Sequence, residues 1–589
     1  GWTRYSVFRS RATFRPAYRS NISGQYVSGA QMSKVLICSN VYPPNFIGGA
    51  ELMAHYQALA LKRLGWDVAV FAGDLEIGGD RYSLSKHSYE GLPVYRVKLL
   101  LEDHNSEFTN FFHEAVEGHF AKVLDQFRPD VVHAHNLTGL SLGILHASKI
   151  RGIATAVTFH DHWGFCYKNT LLKRANEVCQ DHSRCAECMA YVPNGGHGFP
   201  IQMRQSYMAL QMEDVDAFIS PSQYLAEKYV SVGFPASKMN RIWYGIDVSR
   251  LSSIRKTPPD GRVRFTFIGF LGAHKGVHTL LDALSLIPAP EKVMLNLVGG
   301  HGELSELKTR VDTMGLQSSV KFWGNVDNKE ITEVFRQTDV QILPSIWPEN
   351  QPVTITEAMA SRTAVIASRM GGIPELVEDG QNGYLFEAGN PVALAEKMTL
   401  FITNPKLIQT FGEEGYRRIS DKSIDKQVRS IRELYDRLMS TPRTKSPPAA
   451  NLILCAGTGF NPDCTRAITD LWESTQEPMK YRFVMVDWLA EDQFLNGRIL
   501  WVVGADCAPE VIHRALRCHI PLLVPEANRE LKELCRTGGC GLYYADADQA
   551  RESLRYLFEN YSVLAQLASN AGICGRDSPR SLFSICSAR

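Results

Sequence analysis

Two glutamates eight residues apart, Glu349 and Glu357, stand in the segment Trp347-Pro-Glu-Asn-Gln-Pro-Val-Thr-Ile-Thr-Glu-Ala-Met-Ala360. The apolar run Val340–Pro344 before them reads as a strand, and Thr354–Ser361 has the spacing of a helix. Glu349 then falls on a strand-to-helix loop and Glu357 in the first turn of the helix. A loop that becomes a helix aims several backbone N–H groups at one point, where the helix dipole favours an anion. Carboxylates flanking that point can accept hydrogen bonds from hydroxyls. Phosphates on amides and hydroxyls on acids is what a nucleotide diphosphate bearing a sugar requires. The plainer reading of Glu357 is charge compensation at the start of its helix.

Other segments repeat parts of this design. In Asn45-Phe-Ile-Gly-Gly-Ala-Glu51, Gly48 and Gly49 would let the backbone approach a ligand at a helix N-terminus, although such turns also use glycine for geometry alone. Gly269-Phe-Leu-Gly-Ala-His-Lys-Gly276 adds Lys275, a compact positive charge suited to a diphosphate or simply a solvated loop residue. His160-Asp161-His162 ends an apolar strand and faces the expected cleft, where a single histidine is more often structural than functional. Cys166, Cys179, Cys185 and Cys188 follow it, the last pair as Cys-x-x-Cys. Four thiolates within 23 residues suit a tetrahedral structural zinc, with free loop thiols as the alternative. Asp214-Val-Asp216 spells a metal-binding Asp-x-Asp but runs into the strand Ala217–Ser220, and reads as incidental.

The elements that must position these residues form a regular series. Lys34–Ser39, Asp67–Ala72, Asp130–His135, Ala154–His160 and Ala217–Ser222 are short apolar runs, with helical stretches such as 51–64 between them. A second series has strands at Phe265–Gly269, Met294–Gly299, Val320–Trp323, Val340–Pro344 and Ala364–Ser368, with helices such as Val277–Leu286. Alternation of this kind means parallel, doubly wound sheets that bind ligands at the carboxyl ends of their strands. The expected fold is therefore α/β: two Rossmann-like domains, 32–238 and 239–440, facing a cleft, with a third α/β unit at 451–575. Residues 441–450 read as a linker by their prolines, and 576–589 as a tail. Ala358–Ile366 and Ala515–Leu523 echo each other, as do Glu375-Leu376 with Gly383–Phe386 and Glu533-Leu534 with Gly541–Tyr544, which suggests a duplicated half-fold.

Composition narrows the class. Sixty-three basic and 62 acidic residues give a net charge of +1, which supplies no bulk field for nucleic acid. Hydrophobic residues at 44% and charged residues at 21% are an ordinary globular mix. No apolar run spans a bilayer, and 13 cysteines in 589 residues are too sparse for a disulfide scaffold, so a cytoplasmic setting is expected. Residues 1–31 carry Arg4, Arg9, Arg11, Arg15 and Arg19 and no acid. They read as a disordered or non-native leader ahead of Met32, with an organellar transit segment as the alternative.

Taken together, the motifs resemble those of the retaining glycosyltransferases of the two-Rossmann, GT-B class, in family 4 (glycosyltransferase group 1). They are Gly48-Gly-Ala-Glu51, Phe159-His160-Asp161, the Gly269 to Gly276 loop, Glu349 with Glu357, and Gly371-Gly-Ile-Pro-Glu375 with Asn382-Gly383, in family order over about 400 residues. The resemblance implies a sugar nucleotide as donor and a glycan or lipid-linked saccharide as acceptor. It places Gly48, Gly49 and Lys275 at the donor diphosphate, with Gly269 in the loop that carries Lys275. The backbone of Gln351, Pro352, Val353 and Thr354 would lie on the phosphates, Glu349 on the sugar, Glu357 on the ribose, Gly324 near the base, and His160 near the reacting carbon. No catalytic metal or cofactor is then needed, because amides and Lys275 stabilise the leaving group. Phe270 departs from the family, many of whose members place an arginine there. In the third unit Asp506 and Arg514 fall at the two glutamate positions, and arginine accepts no hydrogen bond from a ribose. That unit is expected to be inactive and to bind another protein. Peripheral membrane association stays open, since many relatives work at membranes although no basic amphipathic helix is visible. A non-catalytic scaffold, or a GT-B epimerase or phosphorylase, is the alternative; the phosphorylase lacks a recognisable cofactor lysine.

Overall fold

A computed structural model describes residues 32–441 apart from 46–47, 105–109, 111–112, 259, 301 and scattered positions between 174 and 213. Beyond 451 it describes 452–456, 482–485, 497–502, most of 520–550 and a few single positions. The leader 1–31, the linker residues 442–450, the tail 576–589 and Asp506 and Arg514 lie outside the described residues.

The first sheet starts with β1 (Lys34–Ser39), β2 (Asp67–Asp74), β3 (Leu84–Tyr89), β4 (Leu92–Lys98), β5 (Val131–Ala134) and β6 (Ala154–Thr158). A separate hairpin, β7 (Tyr191–Asn194) and β8 (His197–Pro200), precedes β9 (Ala217–Ser220) and β10 (Met239–Arg241), which rejoin the sheet. Its order is β10-β9-β6-β5-β1-β2-β4-β3. Val35, Leu36, Ile37 and Cys38 are all fully buried, as expected of a central parallel strand covered on both faces. Only β3 runs antiparallel, to β4, an edge strand that the parallel series did not anticipate. Its polar residues Ser85, Lys86 and His87 suit a solvent-facing edge.

The second sheet comprises β11 (Val263–Ile268), β12 (Val293–Val298), β13 (Val320–Gly324), β14 (Val340–Leu343), β15 (Ala364–Ser368) and β16 (Tyr384–Phe386). It is wholly parallel, in the order β13-β12-β11-β14-β15-β16. A third parallel sheet has β17 (Leu452–Ala456), β18 (Arg482–Met485), β19 (Gly497–Val502), β20 (Leu522–Pro525) and β21 (Gly541–Tyr544), in the order β18-β17-β19-β20-β21. That is the order of β12-β11-β14-β15-β16 again.

After the second sheet the chain returns to the first. The helix Ile424–Ser440 is capped by the Ser423 hydroxyl, which accepts from the Lys426 amide at 3.2 Å. Val428, Ile431, Leu434 and Tyr435 recur at helical spacing and are buried among Val35, Ile37 and Ala54 of the first domain. The Tyr435 hydroxyl lies 2.6 Å from His133 Nδ1 on β5. Together with the crossing after β10, this helix fixes how the carboxyl ends of the two sheets face each other. No described helix is long and apolar enough to cross a membrane.

Candidate functional site

The site is built on loops leaving the carboxyl ends of β6, β11 and β14 and on the first turn after β1. After β14 the chain runs through Ser345–Pro352 into the helix Val353–Ala360. Glu349 and Glu357 are both buried. Glu349 Oε1 accepts three bonds: from Lys275 Nζ at 2.7 Å, Ser345 Oγ at 2.7 Å and Trp347 Nε1 at 2.8 Å. Burial opposes ionisation of this carboxyl, but the Lys275 charge and the three bonds outweigh it and hold it below its usual range. Lys275 is thus paired with the acid, and its ammonium also covers the Trp347 ring at 4.7 Å. The two loops are zipped together by the Ile346 amide, which donates to the His274 carbonyl at 2.9 Å. Gly276 turns at φ +74°, and a Cβ there would strike the Pro344 carbonyl.

The acids face the first domain. Burial, and then the negative charge of Glu357, push the Tyr56 phenol up, which puts that carboxylate opposite the helix Gly49–Arg63. The charge of Glu349 reaches His162, where it works against the burial that lowers the imidazole to about 4. Among the described residues the amides of Val353 and Thr354 have no hydrogen-bond partner within the protein, and Pro352 carries none. These are the unsatisfied donors of a helix N-terminus, lying between the two acids. The Gln351 side chain instead brackets Tyr244, accepting from its amide at 2.9 Å and donating to its carbonyl at 3.2 Å.

On the opposite wall, Gly48 is extended, and its amide donates to Glu51 Oε2 at 2.8 Å. A Cβ at Gly48 or Gly49 would meet nothing within 4 Å, so packing inside the protein does not require glycine there. Burial raises Glu51 to about 7 and Asp161 to about 6. His160 is held by two ring contacts. Its Nε2 lies 3.0 Å from His135 Nδ1 and its Nδ1 2.6 Å from the Tyr244 hydroxyl, so both ring nitrogens are already engaged. Burial lowers it to about 3, which keeps it neutral.

Gly269 (φ +154°) and Gly324 (φ +71°) close the ends of β11 and β13 around Gly299, whose amide donates to the Gly324 carbonyl at 2.9 Å. Phe270 is half exposed beside them and stacks on His274 at 5.8 Å. The described residues do not show the expected zinc site. Among the described residues no three or more of His, Cys, Asp and Glu are grouped to hold a metal, and all four cysteines are free. Cys185 Sγ accepts from Gln205 at 3.0 Å and Cys179 Sγ donates to the Asp181 carbonyl at 3.4 Å, so protein groups meet these thiols.

Asn350, Tyr244 and Glu375 cross the gap without having been singled out for a role there. Asn350 Nδ2 donates to the His160 carbonyl at 3.3 Å, and its Oδ1 accepts from Ser222 Oγ. A signal for Asn350 and Glu375 existed in their motifs, but nothing local named their partners.

Comparison with known proteins agrees with this fold. Residues 47–250 match the model of glycosyltransferase family 4, and residues 250–418 that of glycosyl transferases group 1. An uncharacterised glycosyltransferase of Methanocaldococcus jannaschii is 24% identical over 62% of this chain and 87% of its own length. The phosphatidyl-myo-inositol mannosyltransferase of Mycobacterium leprae is 30% identical over 32% of this chain and 52% of its own. Among solved structures, sucrose-phosphate synthase from Thermosynechococcus elongatus superposes with a TM-score of 0.54 at 18% identity, over 69% of this chain and 99% of that one. HepE of Anabaena in complex with UDP gives 0.51 at 19%, over 69% and 100%.

Proposed function

This chain belongs to the GT-B glycosyltransferases, and from that premise we propose that it is a retaining enzyme. It moves a sugar from a nucleotide-diphosphate donor to a glycan or lipid-linked saccharide. The observation that carries this reading is the pair of unpartnered amides at Val353 and Thr354, set between two buried acids that face the other domain. The diphosphate sits on those amides and on the helix dipole, Glu357 takes ribose hydroxyls, and Glu349 takes sugar hydroxyls. Gly48 and Gly49 leave the opposite wall open to the phosphates.

In the reaction, the bond from the anomeric carbon to the phosphate oxygen breaks and its electron pair leaves with the diphosphate. Amides already oriented toward that charge lower the barrier, and no cofactor enters the step. Lys275 contributes its charge through Glu349, holding that acid ionised and fixed. The acceptor hydroxyl must lose a proton. His160 has both nitrogens occupied, and Glu349, held ionised by Lys275, is a weak base. The departing diphosphate is then the base at hand, on the same face of the sugar, which favours retention of configuration. The third α/β unit, which keeps the sheet and carries Asp506 and Arg514 at the echoed positions, serves interaction rather than transfer.

A screen of sugar nucleotides for thermal stabilisation, followed by transfer assays on the wild type and Glu349→Ala, tests the reading. A stabilising donor whose turnover vanishes in the variant supports it. Equal turnover in both removes the assigned site.

A further inference from the structure

Glu375 stands in the one-turn segment Ile373–Glu375 after β15, in the second domain, yet its carboxylate is spent on the first. Oε1 accepts from the Tyr224 amide at 2.7 Å and Oε2 from the Gln223 amide at 2.9 Å, and Arg241 Nη2 lies 2.9 Å from Oε2. Gln223 and Tyr224 open the helix Gln223–Ser231, and their N–H groups lack partners within that helix. Ser222 caps the next amide, Leu225, at 3.1 Å. The helix N-terminus of one domain is thus completed by an acid from the other.

The same turn is locked to the sugar loop. The Gly372 amide donates to the Glu349 carbonyl at 2.7 Å. A Cβ on Gly371 would collide with the Glu349 carbonyl, and one on Gly372 with that of Asn350, so the two segments touch backbone to backbone. Gly371 also turns at φ +55°, where a side chain is strained. Ser222, the cap of the same helix, donates to Asn350.

We propose that Glu375 is a positioning residue: it fastens the second domain to the helix Gln223–Ser231 and, through Gly371 and Gly372, holds Glu349 at its place in the cleft. This rests on the transferase reading above but assigns a residue that the donor chemistry does not require. The helix Ile424–Ser440 joins the domains through an apolar core, but at the cleft itself their contacts are polar, so the closed arrangement there rests on specific fastenings. Two amides and a guanidinium on one carboxylate form such a fastening, and it exists only while the domains meet.

Glu375→Gln keeps the shape but leaves one acceptor oxygen for two amides and removes the ion pair with Arg241. Hydrogen exchange at the Gln223 and Tyr224 amides reads the fastening directly, in the full chain and without a donor. The variant should exchange roughly tenfold faster at these two amides and lose roughly tenfold in transfer kcat. Its Kd for the nucleoside diphosphate should stay within about twofold of the wild type. Arg241→Gln, which spares both amide bonds, should give the same pattern with smaller amplitude, and it decides the matter should Glu375→Gln fail to fold. Unchanged exchange overturns the proposal. So does faster exchange with unchanged kcat, or a loss of nucleotide affinity matching the loss of kcat. A wild type that transfers nothing from any donor overturns the transferase reading instead, and exchange alone then judges the fastening.

Discussion

The second and third sheets share a strand order, yet their loops differ where chemistry would sit. After β14 the second sheet sends out the loop bearing Glu349 and then a helix with open amides. In the sequence that echoes it after β19, Asp506 and Arg514 stand where Glu349 and Glu357 stand in the second. A parallel sheet fixes where loops emerge, at the carboxyl ends of its strands, but not what they carry. The second sheet also has a partner: the first domain faces its loops and supplies Tyr56, His160 and the helix that Glu375 completes. The site proposed here thus depends on a loop and an opposing wall, not on the sheet alone.

The widest separation between the two regions should come from matched substitutions. Glu349→Ala is expected to lower transfer kcat/KM by at least ~100-fold, whereas Asp506→Ala leaves it unchanged in the same assay. A loss in both would mean that the third unit works in the reaction. Next in size, Lys275→Ala strands the Glu349 charge in a buried site. Denaturant unfolding should show a loss of about 3 kcal/mol at neutral pH. In the wild type, Glu349 is held below its usual range, so its contribution is present at neutral pH and lost as acid carries the pH through its folded-state pKa.

A third test concerns the opposing wall. Burial raises Glu51 from an ordinary value near 4.5 to about 7, so the folded state holds its proton more tightly than the unfolded chain. Stability from this group is complete below about 4.5 and declines as the pH rises through 7. Glu51→Gln should therefore match the wild type near pH 4 and exceed it by on the order of 2 kcal/mol at pH 8, as read from urea unfolding. Equal curves at both pH values would place Glu51 in water. The smallest effect belongs to Gly49→Ala. No protein atom opposes the added methyl, so the melting temperature should hold, while the donor KM rises by about fivefold because the methyl enters the space left for the phosphates.

Much of the scaffold was legible. Lys34–Ser39 and Ala364–Ser368 begin and end as their apolar runs predict, and the helix expected over Val277–Leu286 stops one residue short. Each is decided by neighbours a few residues away. The antiparallel β3 was missed because its alternating polar residues carry no buried run. Lys275 and Glu349 were both singled out, but not their pairing, since 74 residues separate them. His160 was read as a group near the reacting carbon, and its two ring partners come from β5's end and from the segment after β10. The cysteine spacing suggested a metal, but spacing along the chain does not fix how side chains group, and among the described residues no three or more ligands are grouped to hold one.

By itself, the sequence determined the alternation of strands and helices, the parallel sheets that follow from it, and the residue types on the loops at their carboxyl ends. Periodic burial and glycine turns are local physics, and they are written in short windows. Only the tertiary structure decided which of those loops face each other, that the helix Ile424–Ser440 returns to the first domain, and that Glu375 completes a helix 152 residues away. Those contacts depend on how two domains meet, and hydrogen bonds across such a gap leave no period in the chain that makes them.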